Sequence, residues 1–196
     1  MNNKKNKQQT NKIKENKQIK KKGHKMNSMQ TQRMNRVKEG VQTYVNGDKL
    51  LFVFAKSNND NCIIFMYDEE DGIVPMWLHL EPKDVEKHKK SGNLSMMSSL
   101  SSVENDLMGC DVIVDHITGK FNIVMKQNGI EKRDFELVTD SKNKPVVLSS
   151  ISGSLCRLHY GYCEFKENSM IPNYFLLNGT DIKTGESKIE NVPYSI

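Results

Sequence analysis

Residues 50–80 read LLFVFAKSNNDNCIIFMYDEEDGIVPMWLHL, and this stretch decides the fold class of the chain. Its three apolar segments are rich in Phe, Ile, Val and Leu, residues that are common in strands. Two polar loops, SNNDN and DEEDG, separate the segments and have the composition of hairpin turns. The stretch therefore predicts three strands joined by short turns, at Leu50–Lys56, Cys62–Tyr67 and Val74–Leu80.

The same pattern continues toward the C-terminus. After Gly109, short apolar segments alternate with turn residues such as Asn128-Gly129, a strong hairpin signal. The predicted strands do not alternate with helices, so the sequence does not predict a parallel doubly wound sheet. Seven further strands are predicted, at Asp111–His116, Lys120–Lys126, Glu131–Thr139, Pro145–Ile151, Leu155–Phe165, Asn173–Asn178 and Ser187–Val192.

One helix is predicted between the two groups of strands. Its apolar residues recur at helical spacing, and Gly109 would end it. The stripe consists of Leu94, Met97, Leu100, Val103 and Leu107. The expected fold is therefore mainly β, an antiparallel barrel or a two-layer sandwich with one short helix.

The alternation of side chains sorts the long strand Leu155–Phe165 into two faces. We expect Phe165 to fall on the polar face unless a bulge near Gly161 switches the register. One face is predicted to hold Cys156, Leu158, Tyr160 and Tyr162, and the other Arg157, His159, Gly161 and Cys163. A filled interior is expected, lined by Phe52, Phe54, Phe65, Trp77, Phe121 and Tyr160.

The charge of the chain is split between two parts. Residues 1–40 hold 13 Lys and Arg and 2 Glu, whereas residues 41–196 hold 16 Lys and Arg and 22 Asp and Glu. The first part has no aromatic residue, and Ile13, Ile19 and Val37 are its only branched aliphatic residues. We therefore predict a disordered basic arm over residues 1–40, with transient helix as the weaker alternative, followed by a single β-rich domain over residues 41–196.

The arm suggests a polyanion partner. Its cations could neutralise phosphates of RNA, of other nucleic acids or of an anionic membrane surface. Without an aromatic residue to stack on bases, such contact would be independent of sequence. The alternative is compositional bias without a function. The candidate residues are Lys20, Lys21, Lys22, Lys25, Arg33 and Arg36.

The expected location is intracellular, in the cytoplasm rather than the nucleus, although the lysine cluster near residue 20 also resembles a nuclear address. The start of the chain shows no secretory-signal pattern. The longest apolar run, Leu50–Ala55, has six residues, and a membrane span needs about 20. The four cysteines show no regular spacing and are expected to be free thiols that pack as small apolar side chains.

A possible pocket is predicted around Arg157, His159 and His116. Arg157 and His159 share a strand face, and His116 follows Asp115 at a strand end, so an acid–base or anion-binding group is conceivable. The chain has no nucleophile elbow, no phosphate-binding loop and no C-x-x-C pair. No catalytic residue, metal site or cofactor is therefore predicted.

Six segments between residues 49 and 192 carry a resemblance to a known family: Leu51–Phe54, Ile63–Tyr67, Pro75–Leu78, Leu155–Phe165, Ile171–Tyr174 and Asn178–Glu186. Together they resemble the domain-of-unknown-function family 4833. In residues 98–108 this chain is rich in serine, where members of that family have an aromatic-rich segment and a Glu-containing helix. The resemblance implies a single β-rich domain and no known catalytic residues.

These observations favour a non-catalytic binding or interaction domain. Its partner would be a protein or a small apolar ligand, and the basic arm would add sequence-independent contact with polyanions. One alternative is an RNA-binding or other nucleic-acid-binding protein that acts through the arm. A second is an enzyme of unrecognised type that uses Arg157, His159 and His116.

Overall fold

The computed structural model describes residues 28–92, 95–115, 121–126, 130, 133–165 and 172–193. These residues are mainly β, which confirms the predicted fold class. Three helices are described, α1 (Ser28–Tyr44), α2 (Pro82–Lys90) and α3 (Ser102–Met108). The strands are β1 (Leu50–Lys56), β2 (Cys62–Asp68), β3 (Gly72–Leu78), β4 (Met97–Ser99), β5 (Cys110–Val114), β6 (Phe121–Met125), β7 (Phe135–Thr139), β8 (Pro145–Ile151), β9 (Ser154–Phe165), β10 (Pro172–Asp181) and β11 (Ser187–Pro193).

The strands form one sheet that curls into a half-barrel. Its order is β4-β3-β2-β1-β9-β8-β7-β6-β5, while β10 pairs with β9 and β11. Strand β9 has 12 residues, so it is long enough to pair with two different strands along the same edge. Residues 154–157 pair antiparallel with β8, whereas residues 160–163 pair parallel with β1. This shared edge joins the two halves of the sheet.

A bulge in β9 switches the faces of its side chains. Against β10, Leu158 pairs with Gly179 and Tyr160 pairs with Asn178, so His159 is the extra residue. Cys156 and Leu158 consequently belong to one hydrophobic core, whereas Tyr160 and Tyr162 belong to the other. The predicted register switch is present, two residues before Gly161. The prediction that these four residues share a face was wrong, because the bulge lies between the two pairs.

The first core combines residues from strands near both ends of the sheet. These residues meet inside the curl and fill it. Phe52 and Phe65 are fully buried there and stack with ring centroids 4.3 Å apart. Phe121 was expected to line this interior, but its side chain is 47% exposed. The second core covers the outside of β1 and β2, so these two strands are buried on both faces.

Helix α1 covers this second core and corrects the predicted extent of the disordered arm. Residues 28–40 were predicted to be disordered, yet they form most of a 17-residue helix. The buried residues Gln30, Met34, Val37 and Val41 recur at helical spacing along one side. Composition alone missed the helix because a boundary at residue 40 separates Val41 from this stripe. Residues 1–27 lie outside the described residues.

The predicted helix over residues 94–108 is also corrected. Residues 97–99 form the edge strand β4, which pairs with β3. Helix α3 begins only after Ser101, whose side chain and Glu104 form a capping box. Val103 and Leu107 are 65% and 61% exposed, so these two residues of the predicted stripe do not pack on the sheet, whereas Met97 and Leu100 do contact the cores. None of the helices in the described ranges is long and apolar enough to cross a membrane.

Candidate functional site

An open cleft of about 510 Å³ lies at the β4 end of the sheet. Its lining comes from β1, β3 and β4, from the loops beside them, and from α2 and α3. Most of the lining side chains carry polar or charged groups, with Trp77 and Leu100 as the apolar exceptions. The cleft is therefore a surface site that exposes both polar groups and apolar surface, beside a filled apolar core.

Lys56 and Trp77 form one wall of the cleft. Lys56 is the last residue of β1, and its Nζ lies 4.2 Å from the centroid of the Trp77 ring. An ammonium over an indole face makes a favourable cation–π contact. Burial lowers the pKa of Lys56, since the surroundings solvate the charge less well than water does. The cation is thus positioned but poorly solvated.

Glu104 supports this wall from α3. Its Oε2 accepts hydrogen bonds from the backbone N–H and the hydroxyl of Ser101, each at 2.8 Å. The hydrogen bond from the Ser101 backbone is the main reason that the pKa of Glu104 lies below its ordinary value, and the side chain of Trp77 contributes less to the same shift. The carboxylate is therefore fixed on the lining that also carries the indole.

His79 and Ser98 meet on a second wall, where the Nε2 of His79 lies 2.8 Å from the hydroxyl oxygen of Ser98. The backbone N–H of His79 donates to Met96, so the pair sits on the β3–β4 ladder. Burial, and then the neighbouring His88, lower the pKa of His79, so its imidazole is neutral at pH 7. Depending on the tautomer, the pair can offer the cleft a hydrogen-bond donor or an acceptor.

Asn61 fixes the loop that carries the third wall. Its Oδ1 accepts from the backbone N–H groups of Leu80 and Glu81, at 2.7 and 2.8 Å. Its Nδ2 donates to the Oδ2 of Asp84 at 2.7 Å. The start of α2 is thereby tied to the β1–β2 turn. The cleft is held open by hydrogen bonds that need no ligand.

The predicted pocket around Arg157, His159 and His116 lies apart from this cleft, and His116 is outside the described residues. Arg157 is 3.6 Å from the Oδ2 of Asp140, and the Nε2 of His159 lies 2.9 Å from the hydroxyl of Thr180. Burial, and then the charge of Arg157, lower the pKa of His159. The charge of Arg157 reaches the imidazole of His159, but neither side chain lines the cleft, and the predicted pocket stays a prediction.

Of the six predicted polyanion-binding residues, two lie within the described residues. Lys20, Lys21, Lys22 and Lys25 lie outside the described residues. Arg33 and Arg36 both contact Asp60: the Nε atom of Arg33 is 3.1 Å from its Oδ1, and that of Arg36 is 2.6 Å from its Oδ2. These arginines attach α1 to the sheet. Polyanion binding stays a prediction, carried mainly by the four lysines.

Asp60→Asn is expected to lower the free energy of unfolding by about 2 kcal/mol, because the side chain is only 13% exposed and two guanidinium groups would lose their counterion. The hydrogen bond from Arg36 holds the pKa of Asp60 below 3.8. The wild-type advantage should therefore be present above about pH 4 and shrink as the pH falls through the folded-state pKa.

The test is urea unfolding of both proteins at pH 7 and pH 3. The control is Asp48→Asn, since Asp48 pairs with Lys144 on the surface and is 73% exposed, so its loss should not change the midpoint. Equal midpoints for the Asp60 variant and wild type at pH 7 would contradict an anchoring role.

The burial of the cysteine side chains makes their thiols poorly reactive. Cys62, Cys156 and Cys163 are buried, and all four cysteines are free. Burial raises the pKa of Cys62 and of Cys163 to about 12, so these thiols stay protonated at neutral pH. Across the described part of the chain, no cluster of three or more His, Cys, Asp or Glu side chains could hold a metal ion.

Comparisons of the chain with protein-family models, with curated proteins and with solved structures find no match. The resemblance to the domain-of-unknown-function family 4833 therefore stays a prediction. Sequence reasoning missed the cleft because its residues come from separate elements. One local signal was available: Ser101 and Glu104 have the spacing of a capping box, which would have placed the start of α3.

Proposed function

We propose that the chain is a non-catalytic binding domain that takes up a small polar ligand in the cleft beside Trp77. One observation carries this proposal: polar side chains from several elements face a single open cleft of about 510 Å³. That volume lies within the range of roughly 300–1,000 Å³ typical of small-molecule sites. The hydrogen bonds of Asn61 and Glu104 hold the cleft ready for a ligand.

A polar ligand is favoured over an apolar one. The inside of the curl is occupied by the stacked rings of Phe52 and Phe65, which leaves the cleft as the better site. Binding is favoured over catalysis at the predicted pocket, because His159 and Arg157 are engaged with Thr180 and Asp140. A protein partner and polyanion contact through residues 1–40 remain additional proposals from the sequence.

The single tryptophan gives a direct test, because the indole N–H of Trp77 produces one identifiable peak in the NMR spectrum of the ¹⁵N-labelled full chain. We expect a saturable shift of this peak with at least one of glucose, ethylammonium chloride, sodium acetate or sodium phosphate at constant ionic strength. The control is the backbone amide of Gly185 in the β10–β11 turn, which lies at the opposite end of β9 from Lys56 and should not move. If no compound shifts the indole peak, or if both peaks shift together, the proposal is wrong.

A further inference from the structure

Lys56 differs from several other half-buried cations of this protein. Arg33, Lys126, Arg133 and Lys188 each have a carboxylate within ion-pair distance. Within the described ranges, Lys56 makes no ion pair, and its ammonium group lies over the ring of Trp77. Water is partly removed from this ammonium, and the charge of Glu104 reaches it only from beyond ion-pair distance. An oxyanion in the cleft would give the ammonium a direct counterion.

Neutral hydrogen-bond donors surround the same space. Ser98 and Ser99 line the cleft, and His79 contacts the hydroxyl of Ser98 at 2.8 Å, whereas the hydroxyl of Ser101 donates to Glu104. In the tautomer with a proton on Nε2, His79 donates to Ser98, and the Ser98 hydroxyl is then free to donate into the cleft. One ammonium with two hydroxyls suits the oxygens of a carboxylate or a phosphate.

The two carboxylates of the cleft are held by other groups. Asp84 accepts from the side-chain amide of Asn61 at 2.7 Å, and Glu104 accepts from the backbone N–H and the hydroxyl of Ser101. Their charges still oppose an extended polyanion, because both lie on the same lining as Lys56. They would tolerate one oxyanion group placed at the ammonium. The cleft is thus suited to a small molecule rather than a nucleic acid.

We propose that Lys56 and the hydroxyls of Ser98 and Ser99 form an oxyanion-binding site, so that the ligand of the cleft is a small molecule bearing a carboxylate or a phosphate. This inference rests on the proposed function and names the chemical class of its ligand. The oxyanion would occupy the space in front of the Lys56 ammonium and leave the indole of Trp77 in place. The shared chemistry is a compact, negatively charged group of oxygen acceptors.

The test compares three proteins in the indole N–H titration with acetate and with phosphate, at an ionic strength held constant with sodium chloride. Lys56→Met keeps the aliphatic stem and removes the charge, so affinity should fall at least about tenfold. Lys38→Met is the matched control, because the Nζ of Lys38 lies 5.2 Å from the ring centroid of Tyr160 outside the cleft. Its affinity should stay within about twofold of wild type.

A second variant guards against a folding defect. Lys56→Arg keeps a cation and should retain affinity within about fivefold, and thermal melting checks that each variant folds. Equal losses in the Lys56→Met and Lys38→Met proteins would overturn the inference, since the anion would then respond to general charge. If glucose or ethylammonium shifts the indole peak and neither oxyanion does, the binding domain stands and the oxyanion site is overturned. If nothing shifts the peak, both are overturned.

Discussion

Val37→Asp is expected to lower the free energy of unfolding by about 4 kcal/mol and the melting temperature by roughly 10 °C. Val37 is 0% exposed and lies in the middle of the buried side of α1. A carboxylate there would lose its hydration without gaining a partner, or α1 would leave the sheet and expose the apolar surface beneath it. Either outcome weakens the packing of α1 on β1 and β2, which buries the outer face of these strands.

The control for this prediction is Val103→Asp. Val103 is also a helical valine, but its side chain is 65% exposed on α3, so the change should stay within about 0.5 kcal/mol. Circular dichroism melting of the full chain compares the two variants. If the Val37 variant melts with the wild type, α1 does not stabilise the sheet.

Gly161→Ala is expected to lower the free energy of unfolding by about 3 kcal/mol. Gly161 pairs with Phe54 across the parallel contact between β9 and β1. A Cβ at this position would lie 2.3 Å from the nearest ring atom of Phe54. That ring cannot move aside easily, because it is 2% exposed and makes edge contacts with Phe52 and Phe175. The strand pairing that joins the two halves of the sheet would have to shift.

Gly47→Ala is the matched control for this substitution, since a Cβ there would meet nothing within 4 Å. Urea unfolding should place its midpoint at or slightly above that of the wild type, because alanine restricts the unfolded chain. The packing argument fails if the two alanine variants unfold at the same urea concentration.

Most strands could be predicted from the sequence because their patterns are local. Pro145–Ile151 was predicted with both ends correct, and the predicted Leu155–Phe165 differs from β9 by one residue. Strand β4 was missed, because Met97–Ser99 is short and its serines carry no strand pattern. It is a strand only because the edge of β3 offers it backbone partners.

Helix α1 could have been inferred from a neighbouring segment. Leu50–Ala55 is apolar at every position, whereas a strand with one solvated face alternates. Such a run needs cover on both faces, and the stripe of Met34, Val37 and Val41 has the spacing to supply it. A close approach confirms the fit: a Cβ on Gly40 would lie 2.4 Å from the side chain of Leu80.

The β-rich class, the position of most turns and the contrast between a basic start and a mildly acidic remainder follow from the order of the amino acids. These properties depend on residues a few positions apart, so a local pattern suffices. The folded chain was needed to see that β9 joins the two halves of the sheet, that Arg33 and Arg36 contact Asp60, and that Lys56 reaches Trp77. Those contacts join residues distant in the chain, and no local pattern specifies which distant side chains the curled sheet brings together.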